Sequence, residues 1–325
     1  MKILMLLITT VVSLYSCSKK NDVVTPPSQS DTLTTGWSFS QTIAQGEDFS
    51  DIFFTDNNFG YALSKSGVYK SVNGGQTFSK INNTPGLINM AAIGTGKALF
   101  VAQNPTPLVT LNGGSSFSNP TLPTPPGGLP SFQDCFYSSS NTCYLSSSRY
   151  VWKSLDGGNS FDTVFTFIPG SAAVSLYFLN DNSGWILRNE GLYKTTDGGY
   201  SWITLVNQQL NHGVVYFADA NNGFYSSNAN NIFQINRTTN GGTNWQSVFQ
   251  STSSGGEPAG DIHFVSNTTG YFSFGNRVYK TTNGGSTWTP ILSLANNQTI
   301  IEIHFTDVAH GWALTVGGKL FRFVG

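Results

Sequence analysis

The chain reads as an all-β protein, a seven-bladed β-propeller of four-stranded antiparallel blades. Three observations carry that reading. A short Asp/Asn-Gly-Gly stretch recurs at a nearly constant period. Each repeat also holds four runs that alternate apolar and polar residues. Finally, the last repeat lacks its fourth strand while a spare one stands near the start, so the two can close a ring.

The recurring stretch is clearest in Lys194-Thr195-Thr196-Asp197-Gly198-Gly199-Tyr200-Ser201-Trp202. Relatives of it run from Lys70 to Phe78, Val109 to Phe117, Lys153 to Phe161, Arg237 to Trp245 and Lys280 to Trp288. Their carboxylate or amide positions are Asn73, Asn112, Asp156, Asp197, Asn240 and Asn283, spaced 39, 44, 41, 43 and 43 residues apart. A period of about 42 is that of four-strand propeller blades. An Asp or Asn here closes a turn by accepting backbone N–H groups further along. The paired glycines allow positive φ, and the following aromatic packs the next strand on the sheet.

These stretches resemble the BNR or Asp-box repeats of sialidases, xyloglucanases, sortilin-type receptors and photosystem II assembly-factor-like propellers. The resemblance implies that the box is structural and sits in the hairpin between the third and fourth strands of a blade.

Within each repeat the first strand ends in Phe or Tyr, as in Asp51-Ile52-Phe53-Phe54 and Glu302-Ile303-His304-Phe305. Gly-aromatic pairs open the second strand: Gly60-Tyr61, Gly184-Trp185, Gly223-Phe224, Gly270-Tyr271 and Gly311-Trp312. The third strand runs into the box and the fourth follows its aromatic. The second repeat is degenerate, interrupted by Pro105 and Pro107 and followed by a Pro-rich stretch from Pro120 to Pro130. Proline cannot donate to a central ladder, so these positions belong to edges or loops. The last repeat stops at Leu320 to Gly325, and Trp37 to Ile43 reads as its missing fourth strand. The propeller is therefore expected over residues 37–325.

Residues 1–16 carry Lys2 and a short apolar run, the features of a signal peptide and too short for a resident membrane helix. Leu14-Tyr15-Ser16-Cys17 resembles a bacterial lipobox, which implies lipidation of Cys17 and a membrane anchored rather than crossed. Residues 17–36 are polar, carry Pro26-Pro27 and read as a flexible tether. Within it Asp31-Thr32-Leu33 resembles the O-glycosylation sequon of Bacteroidetes. Lys19-Lys20 stand where surface-exported lipoproteins of that phylum carry acids, so periplasmic and surface-facing placements both remain open.

Charged residues make up 10% of the chain and the net charge is −1. That balance argues against nucleic acid, which needs a concentrated excess of Lys and Arg. Beyond Cys17 the cysteines are Cys135 and Cys143, eight apart in a predicted hairpin. The hairpin reading favours a disulfide between them over two buried apolar thiols.

Candidate chemistry gathers where the innermost strands begin. Asp51, Asp134, Asp261 and Glu302 lie on that rim, and His263 and His304 follow two residues on, hence on the same face as Asp261 and Glu302. This set can bind a ligand or metal, supply acid–base groups, or line a hydrated channel and tie neighbouring blades. A basic residue also stands three positions before each box (Lys70, Lys153, Lys194, Arg237, Lys280, with Arg322 by extension), either as a cationic ring or as part of the repeat's packing. The Arg cluster of a sialidase is absent, the arginines falling one per blade. A xyloglucanase-like enzyme needs two carboxylates across a cleft and normally a second propeller. The expectation is a monomeric, non-catalytic lipoprotein of the outer membrane, without cofactor or metal, that binds an envelope protein or glycan. A glycoside hydrolase or carbohydrate binder using the acidic rim is the second reading.

Overall fold

The computed structural model describes residues 30–102, 106–126, 128–168, 173–211, 213–229, 231–252, 259–295 and 298–325. The expected signal peptide, Cys17 and the tether up to residue 29 lie outside them. Seven antiparallel sheets form blades 1 (49–82), 2 (87–110), 3 (132–166), 4 (173–207), 5 (215–252), 6 (259–293) and 7 (300–324). The first strands touch one another in chain order and the last meets the first, so the sheets form a ring around a central channel. Trp37–Thr42 pairs with Lys319–Val324 as the outer strand of blade 7, with Trp37 opposite Phe323 and Phe39 opposite Phe321. The ring closes as the sequence leads one to expect.

Two blades depart from the four-strand pattern. Blade 2 has three strands, and a single bridge between Ser118 and Val109 is what remains of its fourth. The Pro-rich segment then crosses to blade 3, where Thr121 bridges to Ser160. Blade 6 gains a fifth strand, Thr32–Leu33, paired with Ser293 and Leu292. The Asp31 carboxylate accepts the Ala295 N–H and the Gln298 amide, each at 2.7 Å. The Thr34 hydroxyl donates to the Ile291 carbonyl. The last residues of the span expected as tether are thus pinned to a blade edge.

Apolar cores lie between adjacent blades. The junction of blades 7 and 1 buries Trp312, Leu314 and Leu320 against Ile52, Phe54 and Tyr69. One contact repeats around the ring. The aromatic at the second position of the second strand, after Gly in Trp185, Tyr271 and Trp312 and after Cys143 in Tyr144, stacks flat on the last Phe of the next blade's first strand. Tyr144 lies on Phe178 at 3.7 Å, Trp185 on Phe217 at 3.7 Å, Tyr271 on Phe305 at 3.5 Å and Trp312 on Phe54 at 3.7 Å between ring centroids. The glycine makes room for it. Gly184 faces Phe178 in register, and a Cβ there would stand 2.4 Å from that ring.

The boxes share one hydrogen-bond pattern. In blade 4 the Thr195 hydroxyl donates to Asp197 Oδ1 at 2.8 Å and accepts the Gly199 N–H at 2.9 Å. Asp197 Oδ1 accepts the Ser201 N–H at 2.9 Å. Gly198 and Gly199 have φ of +74° and +94°, which a side chain would strain. Asn73, Asn112, Asp156, Asn240 and Asn283 accept the equivalent N–H at 2.9–3.0 Å. Each box lies between third and fourth strands or, in blade 2, after the third.

Candidate functional site: the central channel

Six of the seven first strands carry a register shift near their start, as between Phe49 and Asp51 or Ile300 and Glu302. A bulge of this kind re-aims the side chain that follows it. Here it turns Asp51, Asn89, Asp134, Ser175, Asp261 and Glu302 toward the axis, and Val214, before the first strand of the blade without the shift, completes the tier. The next inward positions, two residues on, are Phe53, Ala91, Phe136, Tyr177, Tyr216, His263 and His304. Together these tiers line a central cavity of about 390 Å³. All six rim residues expected from the sequence face this one cavity.

The second tier is a nearly continuous aromatic belt. Ring contacts run from Phe53 to His304 (4.4 Å), His304 to His263 (5.0 Å), His263 to Tyr216 (6.4 Å), Tyr216 to Tyr177 (5.0 Å) and Tyr177 to Phe136 (5.1 Å). Ala91 breaks the belt. On the acidic tier, two carboxylates tie blades together. Asp51 Oδ2 accepts the Met90 N–H of blade 2 at 2.8 Å, and Asp134 Oδ2 accepts the Leu176 N–H of blade 4 at 2.6 Å. Ser175 does the same for Val215 at 3.2 Å.

Burial without a cationic partner sets the protonation of these groups. It raises Asp51 to about 8 and Asp134 and Asp261 to about 7, against the N–H groups that bond them. Glu302 is pushed well above its ordinary value by burial and then by the charge of Asp261. Burial also lowers His263 to about 4 and holds His304 well below its usual range, helped by His263. Both imidazoles are therefore neutral near pH 7. Among the described residues no group of three or more His, Cys, Asp or Glu is placed to hold a metal ion.

Three of the six basic residues before the boxes tie one blade to the next. Lys70 Nζ donates to the Gly113 carbonyl at 2.9 Å, Lys153 to that of Gly198 at 3.3 Å, and Arg237 Nη1 to Ser286 Oγ at 3.3 Å. Each acceptor belongs to the next blade's box. In blade 2, where Val109 replaces the basic residue, Lys97 reaches the Ser140 carbonyl of blade 3 at 2.5 Å. Lys97 was not legible from the repeat, because it stands on the second strand. The box hydroxyls Ser71, Thr110, Ser154, Thr195, Thr238 and Thr281 were legible, a Ser or Thr always two residues before the Asp or Asn.

Cys135 and Cys143 correct an expectation. Both are free and buried. The hairpin sets Cys143 opposite Tyr137 and Cys135 opposite Leu145, so the cysteines are diagonal neighbours. Diagonal positions stand roughly 7–8 Å apart, beyond the Cα spacing a disulfide takes. The Cys135 thiol instead lies 3.6 Å from the Leu99 carbonyl of blade 2.

No family model matches the chain, and no curated protein matches it. Solved propellers do. YCF48 bound to D1 peptide superposes with a TM-score of 0.69 at 15% identity, over 93% of this chain and 100% of that one. The likeness is one of fold. A xyloglucanase of family GH74 from Xanthomonas campestris gives 0.69 at 14% identity, over 88% of this chain but 53% of that enzyme, so this chain spans about half its length. U3-55K gives 0.70 at 10% identity over 90% of this chain and 100% of that one.

Proposed function

We propose that the protein is a non-catalytic, lipid-anchored scaffold of a bacterial envelope, most simply a monomer, whose propeller seats a protein partner. The observation that carries this reading is the geometry of the acidic tier. Its carboxylates open into one closed channel, three from the successive blades 6, 7 and 1 and the fourth from blade 3. A polysaccharide hydrolase needs two carboxylates flanking a groove that its substrate chain crosses. Asp51 and Asp134 are moreover engaged with the backbone of neighbouring blades. The YCF48 propeller, matched over its whole length, holds a peptide, which supports a protein partner in kind. Lipidation at Cys17 and outer-membrane placement rest on the lipobox resemblance alone.

Crosslinking in the native host followed by affinity capture tests the scaffold reading. A defined envelope protein recovered in constant ratio is the expected result. Recovery of polysaccharide without such a protein favours the glycan-directed reading, for which the likeness to half of a GH74 enzyme is the specific support.

A further inference from the structure

We propose that the central cavity binds an organic cation, an ammonium or guanidinium group on a short aliphatic stem. Each rim carboxylate accepts the N–H of the residue after it, as Asp134 does from Cys135 at 2.7 Å and Asp261 from Ile262 at 2.8 Å. What its second oxygen meets depends on the next blade. Blades 2 and 4 carry Asn89 and Ser175 at the rim, which leaves the N–H groups of Met90 and Leu176 free for Asp51 and Asp134. Blades 6, 7 and 1 carry acids in succession. Glu302 takes the Ile303 N–H at 3.0 Å, and Asp51 takes that of Ile52. The second oxygens of Asp261 and Glu302 therefore find no such donor across the blade junction.

The two histidines beneath them add acceptors of the same kind. His304, only 7% exposed, and His263 stand beside the carbonyls of Phe54 and Phe305, which favour an N–H on the ring nitrogen that faces them. Both rings are neutral, so the remaining nitrogen of each is a bare acceptor. Among the described residues no further hydrogen bond reaches either ring. With its carboxyls ionised, this part of the cavity presents acceptors alone, walled by the rings of Phe53 and Tyr216. A group with only donors and a positive charge satisfies it: ammonium carries three N–H and no acceptor, and aromatic faces attract cations. A sugar hydroxyl brings an acceptor along with its donor, and an anion is repelled. The volume, about 390 Å³, suits a single side chain or small amine. Where the cation is a residue of a bound protein, this deepens the scaffold reading; the small-amine test below stands or falls without it.

Thermal melts of the full chain at pH 7 test the site with Nα-acetyl-lysine amide, putrescine and the uncharged Nα-acetyl-norleucine amide. The two cations are expected to raise the Tm in a saturable way and norleucine amide is not. A stronger effect of lysine amide points to a partner's side chain, and of putrescine to a free amine. The shift is expected to vanish in the near-isosteric pair Asp261→Asn and Glu302→Gln. Calorimetry in two buffers is expected to show proton release on binding, as the carboxyls ionise around the cation; Glu302→Gln alone reports this if the double variant does not fold. No shift in the folded wild type overturns the proposal. So does an equal shift with norleucine amide, or a shift given only by a divalent metal and reversed by a chelator.

Discussion

Trp312 of the last blade lies flat on Phe54 of the first, ring centroids 3.7 Å apart and planes 3° from parallel, with its indole N–H on the Gly74 carbonyl at 3.0 Å. This pair seals the seam where the last blade meets the first. Removing it opens a cavity in an apolar junction that a closed ring cannot relax by sliding. Trp312→Ala is expected to cost about 3–5 kcal/mol, the range for large-to-small changes in a packed core. Denaturant unfolding measures it, and a loss below about 1 kcal/mol would show that the seam is not held there.

The glycines before the stacked aromatics should respond by position. Gly184→Ala sets a Cβ 2.4 Å from the Phe178 ring, while a Cβ at Gly317 meets nothing within 4 Å. The first substitution is expected to cost about 1–3 kcal/mol by overpacking, and the second to lie within about 1 kcal/mol of neutral. Paired melts decide it: equal effects would deny that these glycines are there for the ring.

The repeat made these elements readable because their reasons are local. An Asp-Gly-Gly turn needs its hydroxyl, carboxamide and glycines in sequence, and Gly60 faces Phe54 across one hairpin. The closing strand was also legible, since the last repeat ends where its box would begin. Less could be read where the cause lies in another blade. Whether a rim acid is tied, as Asp134 is to Leu176, depends on the residue at the neighbouring rim position. Likewise the Cys135–Cys143 pairing failed on register, which spacing alone leaves undetermined.

Stability should fall as pH rises past neutrality. A buried acid with its affinity for the proton raised contributes stability that is complete below its unfolded value near 4 and lost as pH climbs toward the folded value. For Asp51, Asp134 and Asp261 that window ends at about 7 to 8. His263 acts oppositely, its contribution being lost as pH falls from 6.5 toward about 4, and His304, held well below its usual range by burial, acts in the same direction. The two effects compete below 6.5, and above it only the acids remain. Melting temperature is expected to drop from pH 6.5 to 8, with a shallower slope in Asp51→Asn; a rise over that interval would contradict the assignment.

Cys135 and Cys143, being free and buried, should resist a thiol reagent in the native protein and react in full once it unfolds. A variant lacking Cys17 isolates them. Absence of reactive thiol after denaturation without reductant would restore the disulfide.

Assay of the purified full chain for turnover of xyloglucan and other polysaccharides bears most directly on the claim that the acidic channel binds and does not hydrolyse. No turnover is predicted from wild type, Asp261→Ala or Glu302→Ala. Hydrolysis by the wild type that disappears in either variant would contradict it.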